Sequence, residues 1–335
     1  MPFVDSWAVQ GQTTSARLAR MMLQAATGAD EGVLTSTDLA CLALDVPAGE
    51  VTLNPGSVVI VGKEQPGQGS YQGAIYSLEP VSINPTGSAS GRSDLIVIQA
   101  EDPTVDGTPW NHDPASEPVM YARVLEGVTP GTTTVPEGIS AIPIARIDIP
   151  ASTGTITQEY IHDLRRVVLA REKVELRVQR GGTQSNGEWD KAGNIVSPDS
   201  ERWPQHDWPV VIPEWATQVQ IIAHWSNAYL EPRTPAGSND ARGSLFVGLS
   251  GGPTFLSTTP SAYNFNQTSA TNGYRCSSSN FDQISIPREM RGRSVQVRMY
   301  VEGTPGQAGR LVADNWANFS VEMRFLEYPA PEAAL

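Results

Sequence analysis

Asp190, Asp199, Glu201 and Asp207 cluster in the sequence with Trp189, Trp203 and Trp208. Those side chains suit a saccharide. Tryptophan faces stack on sugar rings, and carboxylates accept the protons of sugar hydroxyls. Trp189, Trp203, Trp208 and Asp207 are therefore the candidate glycan contacts. The competing account makes the tryptophans core anchors and the acids loop solvation. Paired carboxylates also serve glycoside hydrolysis, which needs only spatial proximity. Trp215 and Trp225 stand in apolar strand contexts and are assigned to a core.

Other reactive patterns lead away from catalysis. Gly248-Leu249-Ser250-Gly251-Gly252 matches G-x-S-x-G. A nucleophile elbow needs a helix after the serine and a histidine later in the chain. No helical pattern follows, and no histidine occurs after His224. A glycine-rich hairpin accounts for the run. His112, His162, His206 and His224 are dispersed, without a zinc-binding spacing. Glu101, Asp102 and Asp106 offer oxygen ligands for calcium but lack the EF-hand pattern. Cys41 and Cys276, the two cysteines, are too few for a disulfide framework and read as small buried hydrophobes. The expectation is a non-enzymatic protein with no cofactor, no metal and no catalytic residues.

The elements that must position these residues are mostly strands. The chain has 335 residues, enough for two cores, and is rich in Gly (30) and Pro (26) with only 18% charged residues. That composition favours short strands and tight turns. A net charge of −13 repels phosphate backbones and argues against nucleic-acid partners. Arg288, Arg291, Arg293 and Arg298 form the densest basic run, at solvated strand and turn positions. The N-terminus lacks the regions of a signal peptide, and no apolar run reaches the roughly 20 residues that span a bilayer. A soluble product without membrane insertion is expected.

Leu18, Met21, Met22 and Ala25 share a helical face behind an N-cap at Thr14, which predicts a helix over about 15–27 packed on a sheet. Turn signals every eight to twelve residues then punctuate strands as far as Pro150. Leu95–Ala100 reads as a central strand buried on both faces. In Ala141–Arg166 the alternation slips once. Ile142 and Ile144 fall on one parity, Ile147 and Ile149 on the other, so a bulge is predicted at Ala145-Arg146. Thr155 and Gln158 have capping-box spacing. Ile161, Leu164 and Val168 then form a narrow helical stripe. The predicted division is an N-terminal antiparallel β module over 1–152, a linker helix over 153–172, a C-terminal jelly-roll-like β-sandwich over 173–328 and a frayed tail over 329–335. The mainly β chain would gather copies of itself through Ile161, Leu164 and Val168, with Asp163 and Arg165 pairing inside or between subunits. Val174, Leu176 and Val178 open the sandwich as a half-solvated strand.

A series of marks then runs through the first half. It begins with Arg17, Gly32-Val33 and Asp38-Leu39, followed by Pro55-Gly56-Ser57-Val58-Val59-Ile60-Val61-Gly62 and Gly69-Ser70-Tyr71. Arg92-Ser93-Asp94-Leu95-Ile96-Val97, Glu101-Asp102 and Pro143-Ile144-Ala145-Arg146-Ile147 come next, and Ile156-Thr157 and Ile161-His162-Asp163-Leu164-Arg165 close the series. In order and spacing these resemble the N-terminal module of minor tail or baseplate proteins of siphophages, especially those infecting actinobacteria. Ile212-Pro213-Glu214-Trp215-Ala216 resembles, less specifically, the start of the sandwich such proteins carry. The resemblance implies a virion tail-tip component, often trimeric. Its first module would dock on other tail proteins and its C-terminal part would face host cell-wall glycan. It assigns no host-binding residues.

Overall fold

The computed structural model describes residues 15–102, 105, 118–182, 190–192, 201–232, 239–266, 272–304 and 309–330. The chain divides into two compact units, 1–170 with 328–335, and 171–327. Among the described residues no helix is long and apolar enough to cross a membrane.

Among the described residues, unit 1 holds helix α1 (Ala16–Ala26) and ten strands: β1 (Gly32–Val33), β2 (Cys41–Ala43), β3 (Glu50–Leu53), β4 (Gly56–Val61), β5 (Ser70–Ile75), β6 (Glu79–Ser82), β7 (Arg92–Ala100), β8 (Met120–Val128), β9 (Ala141–Ile149) and β10 (Ile161–Asp163). They form antiparallel sheets ordered β1-β4-β5, β2-β3-β6 and β10-β9-β7-β8. β7 lies between two partners and is buried from Ser93 to Ala100, as its unbroken apolar run predicts. Its neighbour β9 carries an extra residue. Ile96 faces Ala145 while Val97 faces Pro143, so the bulge sits at Ile144, a residue earlier than predicted. Ile144 and Ala145 are consequently both buried, and the parity of the core-facing isoleucines changes there.

Three expectations fail in unit 1. Ser15, not Thr14, caps α1, its hydroxyl accepting from Leu18 N at 3.1 Å. Met21 and Met22 are exposed, so the predicted apolar face is not what holds the helix; it packs on the sheet as expected, lying against Gly69 ahead of β5, where a Cβ would fall 2.6 Å from Arg20 Cβ, and is fastened by its arginines. Arg17 Nε donates to Gly67 O and Arg20 Nε to Gln68 O, while Arg20 lies over the Tyr71 ring. The second failure is the linker helix over 153–172. A single short 3-10 turn at Gln158–Tyr160 leads into β10, which pairs Ile161, His162 and Asp163 with Ile147, Arg146 and Ala145. Gln158, the predicted capping-box residue, accepts instead from Ala43 N at 3.0 Å. The tail also departs from expectation at Ala330, which is buried and donates its N–H to Ser36 O at 3.1 Å.

Unit 2 is a β-sandwich of β11 (Glu172–Arg180), β12 (Asp190–Ala192), β13 (Glu201–Arg202), β14 (Trp208–Val211), β15 (Gln218–Glu231), β16 (Ala241–Ser250), β17 (Leu256–Ser257), β18 (Ser261–Phe265), β19 (Tyr274–Ser285), β20 (Ser294–Gly303), β21 (Arg310–Ala313) and β22 (Asn318–Leu326). One sheet is ordered β11-β22-β15-β21-β12, with β19 on the other side of β15. The other is ordered β13-β20-β16-β17, with β14 also on β20 and β18 on β16. Alternate residues of each sheet meet in one core, among them Val219, Ile221, Phe319 and Val321 from the first and Val247, Leu249, Val297 and Met299 from the second. β11 inverts this rule. Its partners Phe319, Val321 and Met323 turn inward, so Gln179, Arg177 and Glu175 share the core-side face. Val174, Leu176 and Val178 are left on the exposed face, which corrects the polarity expected of a half-solvated strand.

Candidate functional site

Among the described residues, Asp207 is the one candidate glycan contact that the sandwich presents on an outer face. Backbone alternation decides this. β13 and β14 both pair with β20, and Trp203 and Trp208 point into the core, at 1% and 4% exposure. Their neighbours Arg202 and Asp207 turn outward. Trp203 packs edge-on against Phe319 at 5.3 Å, and its carbonyl accepts from Trp225 Nε1 at 2.9 Å. Trp203 and Trp208 therefore have no free face for a sugar ring, which corrects their assignment. Trp189 and Asp199 lie outside the described residues, and Asp190 and Glu201 are placed only as strand positions.

On the outer face, Asp207 Oδ1 accepts from Arg298 Nε at 2.9 Å and from Arg202 Nη1 at 3.0 Å, and Oδ2 from Arg298 Nη2 at 2.8 Å. The bidentate Arg298 bond, with Arg202 behind it, holds the Asp207 carboxyl below its usual range. Arg298 and Tyr300 alternate with the core residues of β20, so both face outward. Tyr300 stacks on Phe246 with centroids 4.9 Å apart, and Phe255 meets Tyr300 edge-on at 6.2 Å. Phe255 is 53% exposed. Gly248 lies opposite Arg298, and a Cβ there would fall 2.6 Å from Phe255 Cζ and 2.8 Å from Tyr300 Cε2. The first glycine of the G-x-S-x-G run thus makes room for the aromatic pair. Ser250 ends β16, which turns back into β17 as a hairpin rather than into a helix. The face combines an exposed aromatic edge, a hydroxyl and a fixed carboxylate–guanidinium set. These groups can hold a neutral polar ring and have no nucleophile–base geometry.

Phe246, Phe255 and Tyr300 were absent from the sequence-derived set. Their spacing carries the signal only once β16 and β20 are paired. Trp215 packs partly buried against the core under Arg171, 5.2 Å from its ring, and Trp225 is fully buried.

Of the candidate subunit contacts, Arg165 and Val168 are buried in unit 1, Ile161 and Leu164 are half-buried there and Asp163 is exposed. Arg165 is buried, and all five of its guanidinium donors are used. Nε and Nη2 bind Asp163 at 2.9 and 2.7 Å, Nη1 reaches Ser36 O and Asp38 O, and Nη2 also reaches Ala330 O at 2.9 Å. Val168 is buried, and Ile161 and Leu164 pack partly buried beside core clusters. With no helix present, the three do not form an exposed seam. Asp102 accepts from Tyr71 Oη at 2.9 Å and pairs with Arg20 at 3.0 Å, so its carboxylate is occupied by protein groups; Asp106 lies outside the described residues. Cys41 and Cys276 are buried, and burial pushes both thiols up to about 12.

No family model matches the chain and no curated protein matches it. Among solved structures it is similar to that of the infectious bursal disease virus Gx strain, at 11% identity and a TM-score of 0.25 over 90% of this chain and 76% of that one. It is also similar to the infectious bursal disease virus VP2 subviral particle, at 9% identity and a TM-score of 0.25 over 90% and 77%. A third is the N-terminal CBM22-1-CBM22-2 tandem domain from Paenibacillus barcinonensis Xyn10C, at 10% identity and a TM-score of 0.21 over 88% and 100%. Superpositions this loose carry no argument about function.

Proposed function

We propose that the chain is a structural, non-enzymatic component of a phage tail tip or baseplate, with unit 1 as its docking module and unit 2 turned to the host surface. The observation that carries this is where the tail-protein marks fall. The whole series from Arg17 to Arg165 lies within unit 1, with only the less specific Ile212–Ala216 run in unit 2, and several of its members hold one another. Asp38 Oδ2 accepts from Ser57 N at 3.1 Å, and a Cβ on Gly56 would fall 2.5 Å from Asp38 Cβ. Asp94 is fully buried and accepts twice from Arg92 at 2.7 Å and once from Gly127 N at 3.0 Å. Tyr71 bonds Asp102, and Asp163 bonds Arg165. These marks are the fixed points of one scaffold, as an inherited docking module requires. The trimer that the resemblance implies rests on the resemblance alone once the helical stripe is removed. Immunogold imaging of intact virions with antibody to this chain is the test. Label at the tail tip is expected, and label on the head or no label on particles overturns the reading.

A second reading has its own observation. The Phe255–Tyr300 edge beside Arg298 and Asp207 has the chemistry of a saccharide platform, so glycan binding on the host wall is the alternative main role. Full-length protein should co-sediment with actinobacterial cell walls. Phe255→Ala should weaken this by about tenfold, and undiminished sedimentation of that variant removes this face from the account.

A further inference from the structure

Strand β11 is the edge of its sheet among the described residues, paired only with β22. Its hydrogen-bonding parity is fixed at both ends, because Glu327 N donates to Arg171 O and Gly181 N to Ala317 O. Odd-numbered residues therefore bond β22. The backbone N–H and C=O groups of Glu172, Val174, Leu176, Val178 and Arg180 point away from it. Among the described residues, the Leu176 carbonyl accepts only from a neighbouring side chain, Arg177 Nη1 at 3.0 Å, and the Arg180 carbonyl from Gln179 Nε2 at 2.9 Å. On the exposed face of this edge, Val174, Leu176 and Val178 are 49%, 58% and 62% accessible. The same face continues along one row of the sheet, from Leu176 past Glu322 to Ile222 and Phe281, the last two 43% and 73% accessible.

The order of residues in β11, Glu-Lys-Val-Glu-Leu-Arg-Val-Gln-Arg, is complementary to itself when read backwards. We infer that β11 pairs antiparallel with β11 of a second copy of this chain, about a two-fold axis through Leu176. In that register Leu176 faces its own copy and Val174 faces Val178. Glu175 faces Arg177, and Glu172 faces Arg180. Every facing pair is apolar with apolar or acid with base, except Lys173 opposite the neutral Gln179. The parity is also right, since the residues with outward backbone groups face one another and exchange N–H···O bonds along the strand. The contact is isologous, so each complementary pair occurs twice.

Charged side chains on an edge strand ordinarily discourage pairing. Here they discourage the wrong registers. An axis through Glu175 would set Glu175 against itself and Lys173 against Arg177. An axis through Arg177 would set Arg177 against itself and Val174 against Arg180. Like charges directly opposite are destabilising, so the Leu176 register is selected against both neighbours. Within one copy, Glu175 pairs with Lys173 and Arg177 at 2.8 Å each, and Arg180 Nε donates to Asn315 O at 2.7 Å. The first two are short-range surface pairs that exchange for equivalents across the axis at little cost. A single strand pair buries less than a standard interface, so the self-association is expected in the micromolar range.

The test is sedimentation velocity on the full chain from about 1 μM to about 300 μM. The expected result is a reversible monomer–dimer equilibrium. Glu175→Arg and Arg177→Glu each place like charges opposite one another twice, and each should weaken the dimer about tenfold or more. An equimolar mixture of those two variants should regain wild-type association, and so should the double variant. Leu176→Cys fixes the register independently. The two thiols sit opposite each other and should join through a short crosslinker with a reach of about 5 Å. Val178→Cys, which faces Val174 rather than itself, should not. A chain that stays monomeric, forms a trimer, or dimerises indifferently to both charge reversals overturns the inference.

Discussion

In unit 1, Arg165 and Arg92 tie acids to main-chain carbonyls, whereas in unit 2 Arg298, Arg202, Arg275 and Arg310 pair with acids across outer faces. Arg165 ties Asp163 to three main-chain carbonyls, and Arg92 links Asp94 to Asn84 O at 2.7 Å. Arg298, Arg202, Arg275 and Arg310 instead pair with Asp207, Asp314 and Glu231 at the surface of the sandwich. The sandwich core needs none of these pairs, since two sheets of alternating apolar residues already close on each other. The smaller sheets of unit 1 share a smaller core, and there the arginine-to-carbonyl bonds join segments that the sheets do not, from Arg165 to Ser36, Asp38 and Ala330 and from Arg92 to Asn84. One unit therefore uses charge to hold itself together. Apart from Arg171 with the buried Glu327, the other keeps the ion pairs named above near its surface, where they can be exchanged for a partner.

The largest effect that would break this contrast is at Arg165. Arg165→Met should cost about 3–5 kcal/mol, because it strands the carbonyls of Ser36, Asp38 and Ala330 and leaves the Asp163 carboxylate without its partner. Peptide-resolved hydrogen exchange on the full chain should show the loss in 15–170 and leave the β15 and β22 peptides unchanged. An equal loss in the two units would mean that they do not carry separate stability.

The same residues show why part of the fold was legible and part was not. Apolar alternation located β11, β14, β15, β16, β20 and β22 of the sandwich but not β17, β18, β21 or most of β19, where Ser, Thr, Asn and Gly hide the period, and the slip in Ala141–Ile149 located its bulge to within one residue. The 153–172 stretch satisfied two helical signals at once, the spacing of Thr155 with Gln158 and that of Ile161, Leu164 and Val168. A third signal opposed them. Residues two apart do not face each other on a helix, but they do on a strand. Asp163 and Arg165 repeat the spacing of Arg92 with Asp94 and of Arg146 with Asp148, and all three pairs form. Tertiary pairing with β9 then outweighed a helix of marginal length. The tryptophans misled for a related reason. Composition placed Trp203, Trp208 and Asp207 together, and only strand parity separates the buried rings from the outward acid.

An intermediate effect is expected at Gly248. Gly248→Ala sets a methyl against the Phe255 ring, which is half exposed and can swing away. The stability cost should be about 1 kcal/mol. Cell-wall binding, if this face carries it, should fall by far more than that cost implies. A variant that loses stability heavily would show that the aromatic pair is a packing feature of the sandwich rather than a presented edge.

The smallest effect concerns acid. Hydrogen bonds from Arg298 and Arg202 depress the Asp207 carboxyl in the folded state, so its contribution is fully present above the unfolded value. It is lost as the pH falls below about 4, through the depressed folded value. Asp148 follows the same sign in unit 1, held down first by Arg146 and then by Ser93 and His162. Asp207 is partly solvated, so screening keeps its contribution under about 1 kcal/mol. Asp207→Asn should therefore leave stability at neutral pH within that margin and make the acid limb of unit 2 shallower, without abolishing it because Glu175, Asp282 and Asp314 are held down too, measured as exchange rates of β14 and β20 peptides between about pH 3 and pH 6. If Asp207→Asn instead destabilised the sandwich at neutral pH as much as Arg165→Met destabilises unit 1, the outer-face network would be part of the fold's support. The division of labour between the two units would then have to be abandoned.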